Sequence, residues 1–429
     1  MPENARPSGP AGTTAQPPST RRLHLVVAVA GIAFGLTAPL TAVFAVHFGA
    51  SPLLAGLAVS SLSFAVLVLD VFGTRLLPRL EPRRALCIAL LVFGAGSLGS
   101  ALAPNLGAMV AARVGQGIGA ALFTAVGPQL AVRISPSGSA GRALGRFNAA
   151  WFLGIAVGPL LGGALAGVGA VGAGLRLAFA TCAAVSVAGA LVVLLVLPAM
   201  PTGQRPQLSV PRFPDLAAPR PALALSIGGA GQALRSGVAM TLLPLIGAQQ
   251  FGLGGAALGG VLSVLAVCDV TAMFIGGQLS DRVGRLPVLL TALGAGVLGA
   301  VACGVALAGG STGLFALGCA LLGLAVGAAW VVPMASVVDL AGGPESGLAA
   351  YRIVADVGMG AGGVLAGAGV GAWGPGGALA ACGVLLTVLA VAAVVLRETC
   401  PPRTTAVPRA AGDPPAAPVR RALAADGLP

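Results

Sequence analysis

Apolar residues run along this chain in long unbroken blocks, not in the alternation of strands or the one-sided stripes of surface helices. The blocks fall at 25–46, 52–72, 85–103, 106–130, 144–167 and 175–197. A second set falls at 222–246, 256–277, 286–308, 312–338, 349–372 and 376–396. Each approaches or exceeds the ~20 residues a helix needs to cross a hydrocarbon layer roughly 30 Å thick. The pattern predicts an all-α membrane protein of twelve transmembrane helices in two six-helix bundles, 23–197 and 222–397. The intervening 198–221 carries seven Pro and three Arg and reads as a cytoplasmic linker. The ends, 1–22 and 398–429, lack apolar periodicity and read as disordered cytoplasmic tails.

The two sets keep register with each other. Gly73 and Gly277 end the second block of each set, 204 residues apart. Gly154 and Gly358 open Gly-x-x-x-Gly runs at the same spacing, and Pro128 and Pro333 lie late in the fourth blocks, 205 apart. Parallel repeats of this kind place a substrate site near the membrane midplane, between the halves.

Composition removes the soluble alternatives. Hydrophobic residues make up 57% of the 429 and charged residues 8%, too few to cover a water-facing surface. The 67 glycines would weaken helices in water, but in a bilayer they let backbones approach closely. A net charge of +12 would ordinarily suggest nucleic acid. Here every positive side chain is Arg, and position accounts for the excess: Arg75, Arg79, Arg83, Arg84, Arg133, Arg142, Arg146, Arg205, Arg212, Arg220, Arg282 and Arg285 fall on alternate connections, against Arg176 alone on the others. That asymmetry predicts a multi-pass cell-membrane protein with both termini cytoplasmic, with the lipid bilayer and not nucleic acid as its surroundings.

Little catalytic chemistry is available. The seven Cys form no C-x-x-C pair, and His24 and His47 are the sole histidines, so neither a metal site nor a disulfide framework is predicted. Without Lys there is no Walker loop. Thr37, Thr41, Ser60 and Ser63 have no neighbouring base, and suit helix contacts or a cavity lining better than nucleophilic catalysis. Arg21-Arg22 before the first block resembles a twin-arginine signal, but no A-x-A site follows and many spans do, which favours a membrane anchor. No enzyme is expected.

Charge inside the blocks carries the candidate chemistry. Gly277-Gln-Leu-Ser-Asp281-Arg282-Val-Gly284-Arg285 follows the eighth block: glycines for a turn and close contact, an acid to cap or pair, and Arg at the membrane face. It resembles the G-x-L-x-D-R-x-G-R loop of the major facilitator superfamily. The first-half counterpart keeps Gly73, Arg75, Arg79, Arg83 and Arg84 but lacks the Asp. In that family this loop latches the halves, so here either Asp70, one turn upstream, substitutes for it, or Asp70 is simply a helix-end acid bound by neighbouring Arg. Arg113-Val-Gly-Gln116-Gly-Ile-Gly-Ala-Ala in the fourth block resembles the family's R-x-x-Q-G-x-G-A-A motif. The resemblance places Arg113 in a central cavity with a role in proton coupling; snorkelling to the outer interface is the alternative. The fifth block holds Gly145, then Gly154-x-x-x-Gly158-Pro159-x-x-Gly162-Gly163, which is similar to the pattern of the drug–proton antiporter branch. Its smooth face and Pro kink suit two halves rocking on one another.

Arg235 and Asp269 lie at depths within roughly 10 Å of each other and can pair, as a structural ion pair or as a coupling site. Arg352 and Asp356, spaced i, i+4, and Asp339 read as gate partners for the Arg-rich first-half loop. Together the resemblance implies a monomeric secondary transporter of the major facilitator fold working by alternating access. The expected function is efflux of a small amphipathic molecule or drug, driven by the proton gradient and without a cofactor. Asp269, partnered by Arg235, is the expected proton carrier. A metabolite facilitator or symporter of the same fold is the alternative, and a non-transporting membrane sensor a more distant one.

Overall fold

The structure, a computed structural model, describes residues 18–72, 81–135, 140–197, 218–341 and 344–400. Gly73, Arg79, most of the linker and most of both tails lie outside these residues. Every regular element among them is helical: α1 (Pro18–Thr37), α2 (Leu40–His47), α3 (Pro52–Phe72), α4 (Pro82–Leu102), α5 (Leu106–Arg133), α6 (Ala140–Ala166), α7 (Val171–Val196), α8 (Pro219–Leu234), a π-helical stretch (Arg235–Leu242), α9 (Leu243–Gln249), α10 (Gly255–Val283), α11 (Arg285–Gly309), α12 (Thr312–Leu340) and α13 (Pro344–Leu396). Among the described residues ten stretches are long and apolar enough to cross a membrane.

Three departures from uniform spans have local causes. The first block breaks between α1 and α2, where Pro39 offers no N–H to the turn before it. Between α8 and α9 the backbone widens to π winding just before Pro244, whose ring would crowd the carbonyl four residues back. Thr241 Oγ1 donates to the Ser236 carbonyl at 3.0 Å inside that stretch. In α13, Gly374 has φ 70° and ψ 176°, which no helix holds. A Cβ built on Gly369 would lie 3.8 Å from Ala378 Cβ, whereas nine residues of straight helix span about 13.5 Å. The chain therefore doubles back at Gly374, as the gap between the last two apolar blocks predicts.

The outside of the molecule is oily and its inside is polar in places. Leu102, Leu195, Leu298, Leu365 and Val395 are exposed, whereas Ser60, Ser97, Gln116, Gln232 and Thr241 are buried. With lipid as the solvent, helices gain little from burying Leu, and small residues and polar contacts specify packing instead. One core gathers second-half residues around Leu242, Leu293, Phe315, Val332 and Leu386. First-half residues form two clusters, one around Phe44, Met109 and Phe179, the other around Leu23, Leu86, Leu130 and Val193. The last brings the start of α1, the start of α4 and the ends of α5 and α7 to one end of the bundle.

In the second half a carboxylate ties the residues after α13 to the start of α11. Glu398 Oε1 accepts from the backbone N–H of Arg285 at 2.8 Å, Thr399 at 3.0 Å and Cys400 at 2.8 Å, and Oε2 accepts from Leu286 N–H at 3.1 Å. It thus caps α11 from more than a hundred residues away. Gly284, at φ 110°, makes the turn beneath it, and any Cβ there would sit 2.5 Å from Glu398 Oε2. Burial alone would raise this carboxyl, but the four N–H donors outweigh it and hold the group below the ordinary carboxylate range. A depressed folded value means stability that is full above the unfolded pKa and lost as pH falls through the folded one. Glu398→Ala is expected to lower the thermal midpoint by roughly 2 °C at neutral pH. That gap should close in acid, which a pair of melting series from neutral to about pH 3 would test.

Candidate functional site

Two polar centres sit inside the bundle, one in each half. In the second, Arg235 opens the π-helical stretch and reaches Asp269 on α10. Its Nη1 donates to Oδ2 at 2.6 Å and its Nη2 to Oδ1 at 2.7 Å. Both side chains are 8% exposed. The expected pairing is present, and it is bidentate. The guanidinium also lies 5.1 Å from the Trp330 ring centroid and 3.7 Å from Met273 Sδ. Glycine makes this proximity possible: a Cβ on Gly327 would meet Ala272 Cβ at 2.9 Å, so α12 reaches α10 closely enough to bring Trp330 over Arg235. Trp330 in turn meets Phe152 of the first half edge-on at 6.3 Å.

Around this pair lie polar atoms without partners. Gln232 Nε2 and Oε1, Ser236 Oγ, Arg235 Nε and, from α3, Ser60 Oγ are buried and make no hydrogen bond. Such atoms are costly unless water or a ligand meets them. Tyr351 closes one side, donating to the Trp330 carbonyl at 2.6 Å.

The first-half centre is a relay. Arg113 Nη1 donates to Gln116 Oε1 at 2.8 Å, Gln116 Nε2 to Ser97 Oγ at 2.6 Å, and Ser97 Oγ lies 3.2 Å from Cys182 Sγ, which reaches the Ala33 carbonyl at 3.1 Å. The relay ties α5, α4, α7 and α1 together. Arg113 is 3% exposed, so it does not snorkel, and it has no carboxylate partner among the described residues. An aromatic row belongs to the first half: the half-buried Phe34 packs on the half-buried Trp151 at 5.6 Å, and Trp151 on the buried Phe123 at 5.2 Å.

The halves meet along two seams. Gly163 of α6 and Gly167 just beyond its end face Gly255 and Gly259 of α10; a Cβ on Gly259 would lie 2.7 Å from both Gly163 Cα and the Pro159 carbonyl oxygen. On the other side α13 runs along α3, from Gly367 on Pro52, through Gly363 on Gly56 and Ser60, to Arg352 and Asp70. Pro159/Gly363 and Gly163/Gly367 are again 204 residues apart, so the seams are equivalent under the repeat.

The sequence profile of the Major Facilitator Superfamily matches residues 23–266, which cover the first half and the start of the second, and residues 225–427, which cover the second half and run past it. The chain belongs to the major facilitator superfamily. Solved structures of the same fold include a bacterial homolog of the human lysosomal transporter Spinster, in an inward-facing occupied form, with TM-score 0.73 and 17% identity over 89% of this chain and 97% of that one. A D-xylose–proton symporter gives 0.72 and 17% over 89% and 98%. The nucleoside transporter NupG gives 0.68 and 14% over 88% and 98%. No curated protein matches by sequence. The chain is thus a multi-pass membrane protein with the fold of a transporter superfamily.

The superfamily motifs take up positions that partly correct the sequence reading. Gly277 lies within α10, which runs on to Val283, so Gly284 and not Gly277 makes the turn. Asp281 receives a hydrogen bond from Arg285 Nη1, whose Nε lies 3.1 Å from Asp339 Oδ2 and whose Nη1 also reaches Ser280 Oγ at 2.8 Å. Arg282 is exposed in the last turn. Asp339 is therefore engaged with Arg285 of its own half; the first-half loop expected to face it lies, at 73–80, outside the described residues. Arg352 does cross to the first half, but its partner is Asp70. Arg83 donates to the Leu194 carbonyl, within the first half.

The glycine motif of α6 divides in function. Gly154, Gly158 and Gly162 press on α1 around Ala28, Gly35 and Leu36, inside their own half, so this stripe is not the surface on which the halves meet. Gly358 and Gly362 do the same against Gly229 and Ala233. Pro159 and Gly163 alone of the motif reach the opposite half, and Gly145 has open space around it. Trp330, Phe152, Gln232, Ser236 and Ser97 were not legible as site residues. The signal available was slight: one Trp of the chain's three, and polar residues in helices seven and three.

Proposed function

We propose that the protein is a secondary active transporter of twelve crossings that exports a small amphipathic molecule, a drug among the candidates, in exchange for protons by alternating access. Ten helices of spanning length, the reversal at Gly374 and the pass through α8, the π stretch and α9 support the count. The Arg asymmetry supports cytoplasmic termini.

The observation that carries this reading is the bidentate Arg235–Asp269 pair, set beneath Trp330 and surrounded by unpartnered polar atoms. Both oxygens of Asp269 are occupied by Arg235, so a proton can bind the carboxylate only if one of those bonds opens. Proton uptake and release of the guanidinium are then one event, at the place where aromatic and polar groups of the two halves face each other. Asp269 is the proton carrier in this scheme, and Arg113 leaves the interior net positive, which favours substrates carrying an acceptor group. The glycine motif of α6, similar to that of antiporters, supports exchange over uptake.

Proteoliposomes with an imposed proton gradient test it. Asp269→Asn is expected to abolish accumulation of amphipathic dyes against their gradient while counterflow exchange partly survives. Unchanged pH-driven accumulation in the variant would remove Asp269 from the mechanism. The first-half loop without its Asp favours a second reading, a metabolite facilitator or symporter, which transport indifferent to a collapsed gradient would support.

A further inference from the structure

A cation of the first half is buried with nothing of opposite charge beside it. Arg113, two turns into α5, is 3% exposed, and the described residues offer its guanidinium one hydrogen-bond partner, the neutral Gln116 Oε1. Its Nε is shut off from solvent and makes no hydrogen bond. The groups beyond Gln116 are neutral as well: Ser97, Cys182 and the Ala33 carbonyl. One turn along α1 from Ala33, Thr37 Oγ1 is a second buried atom without a partner. Asp269 is no counter-ion, since both of its oxygens are held by Arg235. The undescribed residues do not supply the charge either. Segments 73–80 and 136–139 contain no acid, and 1–17 and 198–217 contain Glu3 and Asp215 alone. These segments adjoin the start of α1, the start of α4 and the ends of α5 and α7, which gather at one end of the bundle. Arg113 lies twenty residues before Arg133 at that end, about 30 Å of helix away.

An isolated buried ion is costly, and a guanidinium cannot shed its proton to escape the cost. An anion meeting Nε and a neighbouring N–H in the plane of the fork would balance it, the geometry in which Arg takes a planar acid group. The surroundings one turn further in are aromatic. The Phe93 carbonyl holds the Ser97 hydroxyl at 3.0 Å, and the Phe93 ring stacks on Phe34 at 6.0 Å. Phe34 follows Ala33 in α1 and packs in turn on Trp151. A Cβ on Gly119 would lie 2.8 Å from Phe93 Cα, which sets this row level with Gly119, six residues from Arg113 along α5. That separation is about 9 Å. Phe34 and Trp151 are half-buried, so each keeps part of its ring surface free.

We propose that Arg113 binds the acid group of an amphipathic monoanion, a carboxylate or sulfonate, whose aromatic body lies along Phe34 and Trp151. The inference rests on the transporter reading and names a substrate class for it: organic anions with about 9 Å between acid and aryl end. Arg113 thereby belongs to the substrate, and the proton is left to Asp269. The guanidinium is closed in by its own half in this state, so the anion enters when the halves part. Chloride offers the same charge without the aromatic body, and the two sources are separable.

The full chain in nanodiscs is titrated calorimetrically with biphenyl-4-carboxylate, with the uncharged biphenyl-4-carboxamide and with benzoate, sodium chloride serving as competitor. The parent should bind the biphenyl acid about ten-fold or more tightly than the amide. Arg113→Gln, which keeps a donor toward Gln116, should lose that preference and bind the amide as the parent does. Arg113→Lys, which keeps the charge, should recover part of it. Trp151→Leu should weaken the biphenyl acid and spare benzoate, whose single ring is too short to reach the row. The acid–amide contrast is read in the parent itself, so a variant that fails to fold does not remove the test. Equal affinity for acid and amide in the parent, or an acid preference that survives in Arg113→Gln, overturns the site. Chloride binding that requires Arg113, with no preference for the acid over the amide, gives the position to a small ion and overturns the organic ligand. Flux in proteoliposomes is scored separately. Arg113-dependent acid binding without flux of any substrate refutes the transport reading and leaves the site standing, whereas gradient-driven dye flux with charge-blind binding refutes the site alone.

Discussion

Arg235→Met is expected to strip the protein of both transport and much of its stability, because it leaves Asp269 buried with nothing to balance it. Removing one member of a buried ion pair typically costs about 3–5 kcal/mol, and here the two bonds of 2.6 and 2.7 Å and the 8% exposure of each side chain allow little rescue by water. The orphaned carboxylate must either remain charged at that cost or take up a proton. Adding Asp269→Leu removes the orphan, and replacing both charges with apolar groups is often neutral or even stabilising. The double variant should therefore melt near the parental temperature in detergent and still fail to move substrate against a gradient. Stability and function separate only in that second protein. If it melts normally and transports normally, the pair is a structural tie and the proton is carried elsewhere. A single variant that melts like the parent would mean that the carboxylate is not isolated as the burial indicates.

The architecture was largely legible because oil as a solvent leaves a coarse signature. Unbroken apolar blocks, Arg on alternate connections and glycines recurring at 204 residues survive without any knowledge of side-chain packing. The Arg235–Asp269 pair was legible for a related reason: two opposite charges at similar depth have few other partners inside a membrane. Facing direction was not. Gly154 and Gly163 belong to one motif on one helix, yet a shift of nine residues turns the first toward α1 and the second toward α10. A stripe of period four reveals that a helix packs closely, not against which neighbour. Asp339 shows the same limit, since an acid at a helix end will take whichever Arg the bundle delivers, and among the described residues the bundle delivers Arg285. The orphaned Gln232 and Ser236 were invisible because their meaning lies in the absence of partners, which only three dimensions disclose. Of the helix interruptions only the one at Gly374 was read, as the gap between the last two blocks; Pro39 and Pro244 lay inside blocks read as unbroken, although proline marks both places.

Leucine placed along α6 should read out that division directly. At Gly145, where nothing lies within 4 Å, Gly145→Leu adds a good helix former toward open space and is expected to leave transport near the parental rate. At Gly154, where a Cβ would lie 2.8 Å from the Ile32 nitrogen, the intruding side chain meets α1 within the same half. Gly154→Leu should therefore lower the yield of folded protein and the melting temperature, whatever state the transporter occupies. At Gly163 the obstacle is the opposite half: a Cβ would lie 2.8 Å from the Gly255 carbonyl oxygen, which is backbone and cannot swing aside. Overpacking of this kind costs about 1–3 kcal/mol, but only in conformations that close this seam. Gly163→Leu should thus fold, bind ligand and be trapped with the α6–α10 contact open, its state balance displaced roughly 5- to 150-fold and its turnover reduced at least in proportion. Labels across α6 and α10 would report the separation, and dye flux the turnover. Equal losses of folding at Gly154 and Gly163 would show that both faces are internal to a rigid body, and the seam through Pro159, Gly163 and Gly259 would no longer be where the halves move.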